Sequence, residues 1–426
     1  MSRTSATSAP DELAATFDYL ERRRHAAAAA WNLDSGLVLV EAGQAIHVPG
    51  RSDRTYPFRA HSEYLWLADR ERPGGVLAFD PQEGWVEFVA PVTAEELLWT
   101  GLEGDREGVP EGARPVDELE AFIGGREPQR LGATSEAATA LRDALIRVRR
   151  PKDDVELDRM RIAVDATAAG FADLVRLIDP GRTERELRID LEASFFRNGG
   201  DFLAFDSIVA AGVHAAVLHF SPTTRALRDG EVLLVDAGAE HRGYAADVTR
   251  TYVVAGTFSG EQQVVQEAVR RANEAAIAAC GPGVRWREVH RAAALVLADG
   301  LLELGVLRGD PESLLESGAV TLFFPHGVGH MLGLGVRDAG VASDEEEQPP
   351  PGLPRLRVDI PLEPRHVWTI EPGIYFVPTL LARERGRDGV NWSRVEELLD
   401  FGGVRIEHDV LITADGSEVL TAAIPV

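Results

Sequence analysis

Apolar positions along the first third of the chain predict a small α/β arrangement. Residues 11–32 have the apolar spacing of a helix and run into the apolar stretch GLVLVEA, which predicts a strand. Two apolar runs flank residues 81–84 in GVLAFDPQEGWVEFVAP, and this pattern predicts a hairpin. A short helix is predicted at TAEELLWTG, where Thr93 and Glu96 form a capping box, and a final strand is predicted near QRLGAT.

The segment RVRRPKDDVELDRMRIA marks a change in the pattern. A cationic run and a proline precede acidic residues, which the N-terminal end of a helix dipole favours, so a long amphipathic helix is predicted to begin there. We place a domain boundary near residue 148, which gives domains 1–148 and 149–426. By composition, residues 1–10 are expected to be a loose end and residues 343–354 an exposed loop.

Downstream of this boundary, two helix pairs alternate with apolar strands. The first pair is predicted over 154–178 and 183–197, and the second over 260–280 and 286–304. This duplication of helix, helix and strands indicates two similar halves around one site. The fold class predicted from the pattern is therefore mixed α/β, with a larger second domain.

Charge limits the kinds of partner. Acidic residues outnumber basic ones 69 to 44, which gives a net charge of −25 and argues against a free-standing binder of nucleic acid or of anionic membranes. No stretch approaches the roughly 18 apolar residues of a spanning helix. The start, MSRTSATSAPDEL, lacks the apolar core of a signal peptide. We expect a soluble cytoplasmic protein with no nucleic-acid or membrane partner.

Counts of reactive residues remove several enzyme classes. The single cysteine, Cys280, excludes an intramolecular disulfide and a cysteine-rich metal site, and its place in an alanine-rich helix indicates a packed residue. The only lysine, Lys152, follows Pro151, so the Gly-Lys pair of a Walker A loop is missing. No serine stands in a GxSxG pattern. Of the enzyme classes considered, catalysis by bound metal ions remains.

The stretch 231–254, EVLLVDAGAEHRGYAADVTRTYVV, is the first candidate for that chemistry. Two apolar runs flank a glycine-containing turn, which predicts a hairpin with Asp236 at the end of its first strand and Asp247 within its second. Such strands bring the two carboxylates together. Taken singly, a turn cap for Asp236 and a surface position for Asp247 are the alternatives. Facing carboxylates in an apolar setting are costly unless a cation joins them, and this favours a metal site.

Two histidines lie in FFPHGVGHMLGLGVRDAG. The glycine density opposes a helix, and Gly327 follows His326 where a zincin helix places its glutamate base, so a zincin site is excluded. His326 and His330 are therefore candidate ligands in a loop whose glycines let the backbone pass close to another group.

Two further strands carry acidic residues. Glu371 ends the apolar strand of HVWTIEPGIYFVP. FGGVRIEHDVLIT is predicted as one apolar strand on which Arg405, Glu407 and Asp409 recur at period two and so point to one face. A strand-end cap for Glu371 and the polar face of an edge strand for Glu407 are the alternatives.

Together, these residues indicate a metal site more specifically than any one of them does alone. Two aspartates, two glutamates and a histidine on buried-looking strands form an oxygen-rich set for two divalent ions of the Mn²⁺, Co²⁺ or Zn²⁺ kind. Two metals a few ångströms apart share a hydroxide at neutral pH, which hydrolysis of an unactivated amide requires. The residues alone predict a two-metal hydrolase.

Five segments carry a family resemblance: HAAVLHF, LLVDAGAEHRGYAADVTRTY, PHGVGHMLGL, TIEPGIYF and NWSRVEELLDFGGVRIEHDV. In this order and spacing, they resemble the pita-bread metallopeptidases, most closely the bacterial Xaa-Pro dipeptidases (prolidases). YPFRAHSEYLWLAD resembles, more weakly, the creatinase-like domain that precedes the catalytic domain in prolidases and aminopeptidases P. The resemblance implies a creatinase-like α/β domain at 1–148 and a pita-bread domain with pseudo-two-fold halves at 149–426.

Carried over by position, the resemblance implies the metal ligands. Asp236 would chelate one metal, His330 and Glu371 would hold the other, and Asp247 and Glu407 would bridge both. The metals implied are two divalent ions, foremost Mn²⁺, with Co²⁺ or Zn²⁺ also compatible.

The resemblance also implies catalytic roles. A hydroxide shared by the metals would attack the scissile carbonyl, and Glu371 would accept its proton as general base. His219 and His326 would bind substrate and stabilise the tetrahedral oxyanion. Arg405 matches an arginine that orients the carboxylates.

The chain departs from the family pattern at Arg337. Members usually read GHxxGLxVHD, whereas this chain reads GHMLGLGVRDAG, so Arg337 replaces a substrate-contacting histidine and Gly335 a bulkier residue. Arginine binds carboxylate bidentately and stays charged at any working pH. We expect Arg337 to bind the C-terminal carboxylate of an Xaa-Pro dipeptide; a neutral change with local repacking is the alternative.

The function that the resemblance implies is hydrolysis of the imide bond in Xaa-Pro dipeptides. NWSRVEELLDFGGVRIE, a longer connection after EPGIYF, favours this dipeptidase over an aminopeptidase P that acts on longer Xaa-Pro peptides. A metal-free peptide-binding module on the same fold is a further alternative, which the intact ligand set disfavours. The resemblance also implies a homodimer in which the N-terminal domain of one subunit borders the site of the other.

Overall fold

The computed structural model describes residues 9–50, 54–101, 108–132, 138–345, 356 and 358–426 of the chain. The chain divides into two compact units. The first comprises Met1–Arg149 with Ala342–Asp344, and the second comprises Arg150–Val341 with Glu345–Val426. Of the predicted loose end and exposed loop, residues 1–8 and 346–354 lie outside the described residues.

The first unit is an α/β fold around a five-stranded sheet. The strands have the order β4-β3-β2-β1-β5, and β1 is antiparallel to β2 but parallel to β5. The elements in chain order are α1 (Ala9–Trp31), β1 (Val38–Glu41), α2 (Ser62–Ala68), β2 (Val76–Asp80), β3 (Gly84–Val89), α3 (Ala94–Thr100), β4 (Ala113–Pro115), α4 (Leu119–Ile123), β5 (Gln129–Leu131) and α5 (Thr139–Arg149).

The predictions for this unit are confirmed where the local pattern was strong. The long first helix, the β2–β3 hairpin and the last strand are present. The side chain of Thr93 accepts from the backbone N–H of Glu96, so α3 begins with the predicted capping box. Four elements were not predicted, namely α2, β4, α4 and α5.

The second unit holds the two predicted helix pairs. The first pair is α6 (Asp154–Val175) and α7 (Glu184–Arg197), and the second is α8 (Gly260–Ala279) and α9 (Trp286–Glu303). The other elements are β6 (Phe202–Leu203), β7 (Ile208–Ala211), β8 (Val232–Ala237), β9 (Ala239–His241), β10 (Tyr244–Ala245), β11 (Val248–Val253), α10 (Pro311–Glu316), β12 (Val367–Ile370), β13 (Gly373–Tyr375), α11 (Pro378–Arg383), α12 (Trp392–Glu397), β14 (Gly403–Arg405), β15 (His408–Ile412) and β16 (Ser417–Val419).

Each half of this unit packs a sheet against its helix pair. The sheet β11-β8-β7 shares one apolar core with α6 and α7, and the sheet β12-β15-β16 shares another with α8 and α9. The backbone N–H of Glu407 donates to the carbonyl of Thr249 at 3.1 Å, so the two halves meet between β11 and the β14–β15 segment. This junction positions the candidate site.

Two predicted strands need correction. Asp247 does not lie within a strand, because β11 begins at Val248. The stretch 401–413 forms two strands, since β14 pairs with β13 whereas β15 pairs with β12 and β16. Arg405, Glu407 and Asp409 nevertheless all contact the β8–β11 segment, as the period-two spacing predicted.

Among the described residues, no helix is long and apolar enough to cross a membrane. Cys280 is buried at the end of α8, and burial raises the pKa of its thiol to about 12, as expected for an inert packed residue.

Candidate active site

Three donor groups meet at the junction of the two halves. Asp247, His330 and Glu407 each offer one ligand atom, and these atoms all lie within 4.8 Å of one another. Asp247 precedes β11, His330 lies in the segment beside β12, and Glu407 links β14 to β15. Residues far apart in the sequence thus present carboxylate and imidazole groups to one point, as a metal ion requires.

The ring of His330 is oriented by its own backbone neighbour. Nδ1 lies 3.1 Å from the carbonyl oxygen of Met331, and because a carbonyl only accepts, Nδ1 carries the proton. Nε2 therefore holds the free lone pair, and it lies 3.4 Å from Oδ2 of Asp247. Burial lowers the pKa of His330, which keeps the ring neutral and able to ligate a cation.

Asp236 and Glu371 belong to the same cluster. Asp236 lies in β8 directly opposite Thr249 of β11, and Glu371 follows the last residue of β12. Burial, followed by the charge of Asp236, raises the pKa of Asp247 well above its ordinary value. The charges of Asp247 and Glu371 add to burial in raising the pKa of Glu407. Four carboxyl groups are therefore close enough to repel one another.

The electrostatics of this cluster fit a cation site. Burial also raises the pKa of Glu371, so three of the four carboxyl groups resist ionisation in the protein alone. Oδ1 of Asp236 is buried and has no hydrogen-bond partner among the described residues. Buried anionic oxygens are costly unless a cation compensates them. The residues present therefore suit divalent metal ions with oxygen and imidazole ligands.

Arg405 connects three members of the site. Its Nη2 donates to Oδ2 of Asp236, its Nε donates to Oγ1 of Thr249 at 3.0 Å, and its Nη1 donates to the hydroxyl of Tyr375 at 2.9 Å. Thr249 in turn donates to Oε2 of Glu407 at 2.8 Å. The guanidinium thus fixes Asp236 directly and Glu407 through one hydroxyl, which is the geometry of a residue that orients carboxylates.

The hydroxyl of Tyr375 determines the proton position on His326. Nδ1 of His326 lies 2.8 Å from the carbonyl of Gly327 and must donate, so Nε2 accepts from the Tyr375 hydroxyl at 2.9 Å. Burial, followed by the charge of Arg405, lowers the pKa of His326 to about 3. His326 is therefore neutral, with its only N–H on Nδ1, which lies 3.6 Å from Oε2 of Glu371.

Two glycines make the space that Tyr375 occupies. A Cβ atom on Gly373 would lie 2.4 Å from the Tyr375 hydroxyl oxygen, and one on Gly403 would lie 2.5 Å from its Cδ1. Tyr375 is completely buried in this slot. Packing and hydrogen bonds together leave its hydroxyl one position, between Arg405 and His326.

Tyr375→Phe is expected to lower kcat about ten-fold, because it leaves Nε2 of His326 and one guanidinium N–H without a partner. The bound metal should be retained. Nitrogen NMR of histidine-labelled protein should show His326 protonated on Nδ1 in the wild type and mixed protonation in the variant. Tyr252→Phe, in β11, is the matched control. An unchanged kcat and an unchanged His326 spectrum would contradict this role.

Two predicted substrate residues lie outside the buried cluster. His219 and Arg337 are both exposed. The charge of His219 acts on His326, and the charge of Arg337 lowers the pKa of both His330 and Glu371. Both side chains therefore lie near the cluster but on its solvent side.

Several supporting residues were not found from the sequence. Nδ1 of His290, in α9, accepts from the backbone N–H of Val328 at 3.0 Å and so holds the segment between His326 and His330. Asn273, in α8, donates to the carbonyls of Ile370 at 2.8 Å and Ile406 at 3.2 Å. Polar residues at apolar helix positions were the available signal, because a buried amide or imidazole needs partners.

Comparison with known proteins assigns the family. Residues 158–414 match the model of metallopeptidase family M24, and residues 19–122 match that of the aminopeptidase P N-terminal domain. The chain belongs to metallopeptidase family M24. As an M24 metallopeptidase it has a pita-bread catalytic domain that uses divalent metal ions, so the predicted fold class and enzyme class are confirmed.

Relatives of this M24 metallopeptidase match it along most of its length. Xaa-Pro aminopeptidase 1 of Streptomyces coelicolor is 35% identical, over 88% of this chain and 79% of the relative. A probable Xaa-Pro aminopeptidase of Botryotinia fuckeliana is 31% identical, over 91% and 90%. Aminopeptidase PepP of Pseudomonas aeruginosa superposes with a TM-score of 0.79 at 30% identity, covering 96% of this chain and 95% of that one.

These comparisons favour the alternative substrate preference over the predicted one. The relatives named are Xaa-Pro aminopeptidases, so the alternative of an aminopeptidase P fits better than a prolidase. Membership of a metallopeptidase family also leaves no support for a metal-free binding module.

Proposed function

We propose that this M24 metallopeptidase is an aminopeptidase P, which removes the N-terminal residue from peptides whose second residue is proline. The convergence of Asp247, His330 and Glu407 within 4.8 Å carries the chemistry. The choice of substrate is supported by relatives that match most of the chain and by the structure of Escherichia coli aminopeptidase P with the inhibitor Pro-Leu, which is 26% identical with a TM-score of 0.79.

In this proposal the ligands are divided between two divalent ions. Asp236 would hold one, His330 and Glu371 the other, and Asp247 and Glu407 both. When bound, such ions polarise the scissile carbonyl and make a hydroxide available at neutral pH. We propose Mn²⁺ as the metal, with Co²⁺ or Zn²⁺ as alternatives; a zinc-substituted form of the Escherichia coli enzyme has been solved in complex with product.

The remaining residues would act on the substrate and on protons. Glu371 would accept the proton of the attacking nucleophile, since burial raises its pKa toward the range of an effective base. His326 would donate from Nδ1, its only N–H, to the developing oxyanion, exchanging the carbonyl of Gly327 for the substrate oxygen. His219, exposed beside His326, would bind the substrate at the mouth of the site.

The decisive experiment compares peptide series on one preparation. Enzyme stripped with a chelator and reloaded with Mn²⁺ is given Ala-Pro, Ala-Pro-Ala, a longer Ala-Pro peptide and the same peptides with alanine in place of proline. We expect release of N-terminal alanine from the proline-containing tripeptide and longer peptide, and only with metal. Turnover confined to Ala-Pro would instead identify a prolidase, and equal turnover of the alanine series would contradict proline specificity.

A further inference from the structure

A turn beside the candidate site is fixed by backbone hydrogen bonds near its start and at its middle. The backbone N–H of Leu332 donates to the carbonyl of Val367 in β12 at 3.0 Å, and that of Gly335 donates to the carbonyl of Gly243 at 2.8 Å. The N–H of Asp338 closes the turn by donating to the carbonyl of Met331 at 3.2 Å. The segment from 331 to 338 is therefore held by backbone hydrogen bonds in one conformation.

A buried ion pair supports this turn from inside. Nζ of Lys152, the only lysine of the chain, lies 2.9 Å from Oδ2 of Asp338, and the two side chains are 0% and 2% exposed. The same oxygen accepts from the backbone N–H of Leu334 at 3.1 Å. A Cβ atom on Gly333 would lie 2.5 Å from Cε of Lys152 and 2.6 Å from Oδ2 of Asp338, so the backbone passes directly over the pair.

Burying such a pair stabilises little compared with apolar packing, since each charge loses its hydration. Its more specific effect is conformational, because Asp338 can accept from both Lys152 and Leu334 only when the turn has this shape. We expect the ion pair to fix the position of the residue that the turn exposes beside the candidate site.

That residue is Arg337, which immediately precedes Asp338. Its side chain is exposed, and it has no hydrogen-bond or ion-pair partner among the described residues. The turn that carries it starts directly after His330 and is hydrogen-bonded to β12, and the charge of Arg337 acts on Glu371 and His330, so the guanidinium lies on the side of the candidate active site. In a protein with a net charge of −25, a rigidly presented and unpaired cation at this position is available to a ligand.

We propose that Arg337 is a specificity-determining residue that binds a carboxylate on the C-terminal side of the scissile bond. The enzyme would therefore prefer short Xaa-Pro peptides with a free C-terminus. The proposal rests on the proposed aminopeptidase function. It places the substrate carboxylate, rather than its ammonium group, beside Arg337, because the cation would repel the substrate's N-terminus. Arginine pairs with carboxylate through two parallel hydrogen bonds at every working pH.

With this role, Arg337 would recognise a carboxylate on peptides longer than the Xaa-Pro dipeptide expected from the sequence. A dipeptide-only enzyme is no longer required, since a carboxylate beyond the proline of a tripeptide presents the same group. Lys152 becomes a positioning residue, which acts on the substrate only through Asp338 and the turn.

The test uses pairs of substrates that differ only in charge at the C-terminus. Ala-Pro-Ala and its C-terminal amide form the short pair, and an Ala-Pro heptapeptide and its amide form a long pair whose terminus lies farther from the scissile bond. We expect the wild type to show a kcat/KM about ten-fold or more higher for the short acid than for its amide, and a ratio near one for the long pair.

Arg337→Ala should bring the ratio of the short pair close to one, and Arg337→Lys should leave an intermediate ratio. Arg308→Ala, at an exposed arginine between α9 and α10, is the matched control and should keep the wild-type ratio. A wild-type ratio near one, or an Arg337→Ala variant that keeps the full ratio, would overturn the proposal. Turnover of the amides tests the aminopeptidase function independently, so the two failures are distinguishable.

The positioning role has its own readout. Lys152→Met and the nearly isosteric Asp338→Asn should each lower the short-pair ratio, and combining either with Arg337→Ala should lower it no further. A purely structural loss would reduce acid and amide rates equally and keep the ratio. If Lys152→Met does not fold, Asp338→Asn alone decides, and a wild-type ratio in that variant would contradict the role of the pair.

Discussion

Replacing Asp247 or Glu407 with alanine is expected to abolish peptidase activity, lowering kcat/KM by more than about 10³-fold. Each carboxylate offers one ligand atom of the cluster in which the ligand atoms of Asp247, His330 and Glu407 lie within 4.8 Å of one another. If both carboxylates bridge two ions, as we propose, the loss of either disrupts both ions. The measurements are metal content after dialysis and turnover of an Ala-Pro peptide with Mn²⁺ added.

The melting temperature of the metal-free protein distinguishes a loss of metal ligands from misfolding of the variant. Burial and neighbouring carboxylates raise the pKa of Asp247 above its ordinary 3.8, so its contribution to stability is lost as the pH rises through the raised value. At neutral pH, which is above this ordinary value, keeping the carboxyl group buried among other carboxyl groups therefore destabilises the metal-free fold. Asp247→Ala should melt at a higher temperature than the wild type in chelator, yet gain less from added metal.

A matched control uses an ion-paired carboxylate of the same unit outside the cluster. Asp359 is paired with Arg285 and Arg287, and Asp359→Asn should keep its metals and most of its activity. Two bound metals and near-wild-type turnover in Asp247→Ala or Glu407→Ala would contradict the assignment of these carboxylates as metal ligands.

The four long helices of the second unit, α6 to α9, and their ends could be predicted because their signals are local. Thr183 and Glu186 form a capping box that starts α7 at Glu184, and the apolar spacing that follows defines its buried face. Similar signals place α6, α8 and α9 within a few residues. Such elements depend on neighbours in the sequence, which a single sequence contains.

The predicted position of Asp247 was wrong because the segment before it is shaped by non-local contacts: β9 pairs with β6, and the N–H of Ala245 donates to the carbonyl of Gly333. The predicted simple hairpin contains two additional short strands, β9 and β10. A Cβ atom on Gly238 would lie 1.7 Å from the carbonyl oxygen of Ala246, so the backbone crosses itself closely just before β11. A glycine within a strand pattern indicates such an approach but does not say what approaches.

The division of the last predicted strand has a similar cause. Ile406 donates its N–H to the carbonyl of Pro372, and Glu407 donates to Thr249, so the chain changes partners between β14 and β15. Apolar periodicity continues through this change and cannot show it. The hydroxyl of Tyr375 was missed for the same reason, since its partners come from residues 326 and 405.

Substrate preference was the least predictable property. The types and spacing of the ligands determine the metal chemistry. The resemblance implies the same ligands for prolidases and for aminopeptidases P. Whether a dipeptide or a longer peptide fits depends on exposed groups around the cluster, such as Arg337, whose surroundings the sequence does not contain.

Gly329→Ala is expected to lower kcat/KM by about 10²-fold or more, although it removes no functional group. A Cβ atom at this position would lie 1.9 Å from the carbonyl oxygen of Thr369. Two backbone hydrogen bonds flank this contact. The N–H of Thr369 donates to the carbonyl of His330 at 2.9 Å, and the N–H of Glu371 donates to the carbonyl of Val328 at 2.7 Å. The methyl group must therefore separate the two segments that carry His330 and Glu371, the proposed ligands of one ion.

The loss should appear first in metal binding. Forcing these backbones apart costs about 1–3 kcal/mol of stability, and displacement of a ligand by about 1 Å weakens both coordination and catalysis. Calorimetric titration with Mn²⁺ should show one weakened site and one near-normal site, because Asp236 lies on the other half. Gly340→Ala is the matched control, since nothing lies within 4 Å of a Cβ atom there. Normal affinity at both sites in Gly329→Ala would show that the close packing against Thr369 does not position His330, and the pairing of His330 with Glu371 on one ion would lose its structural basis.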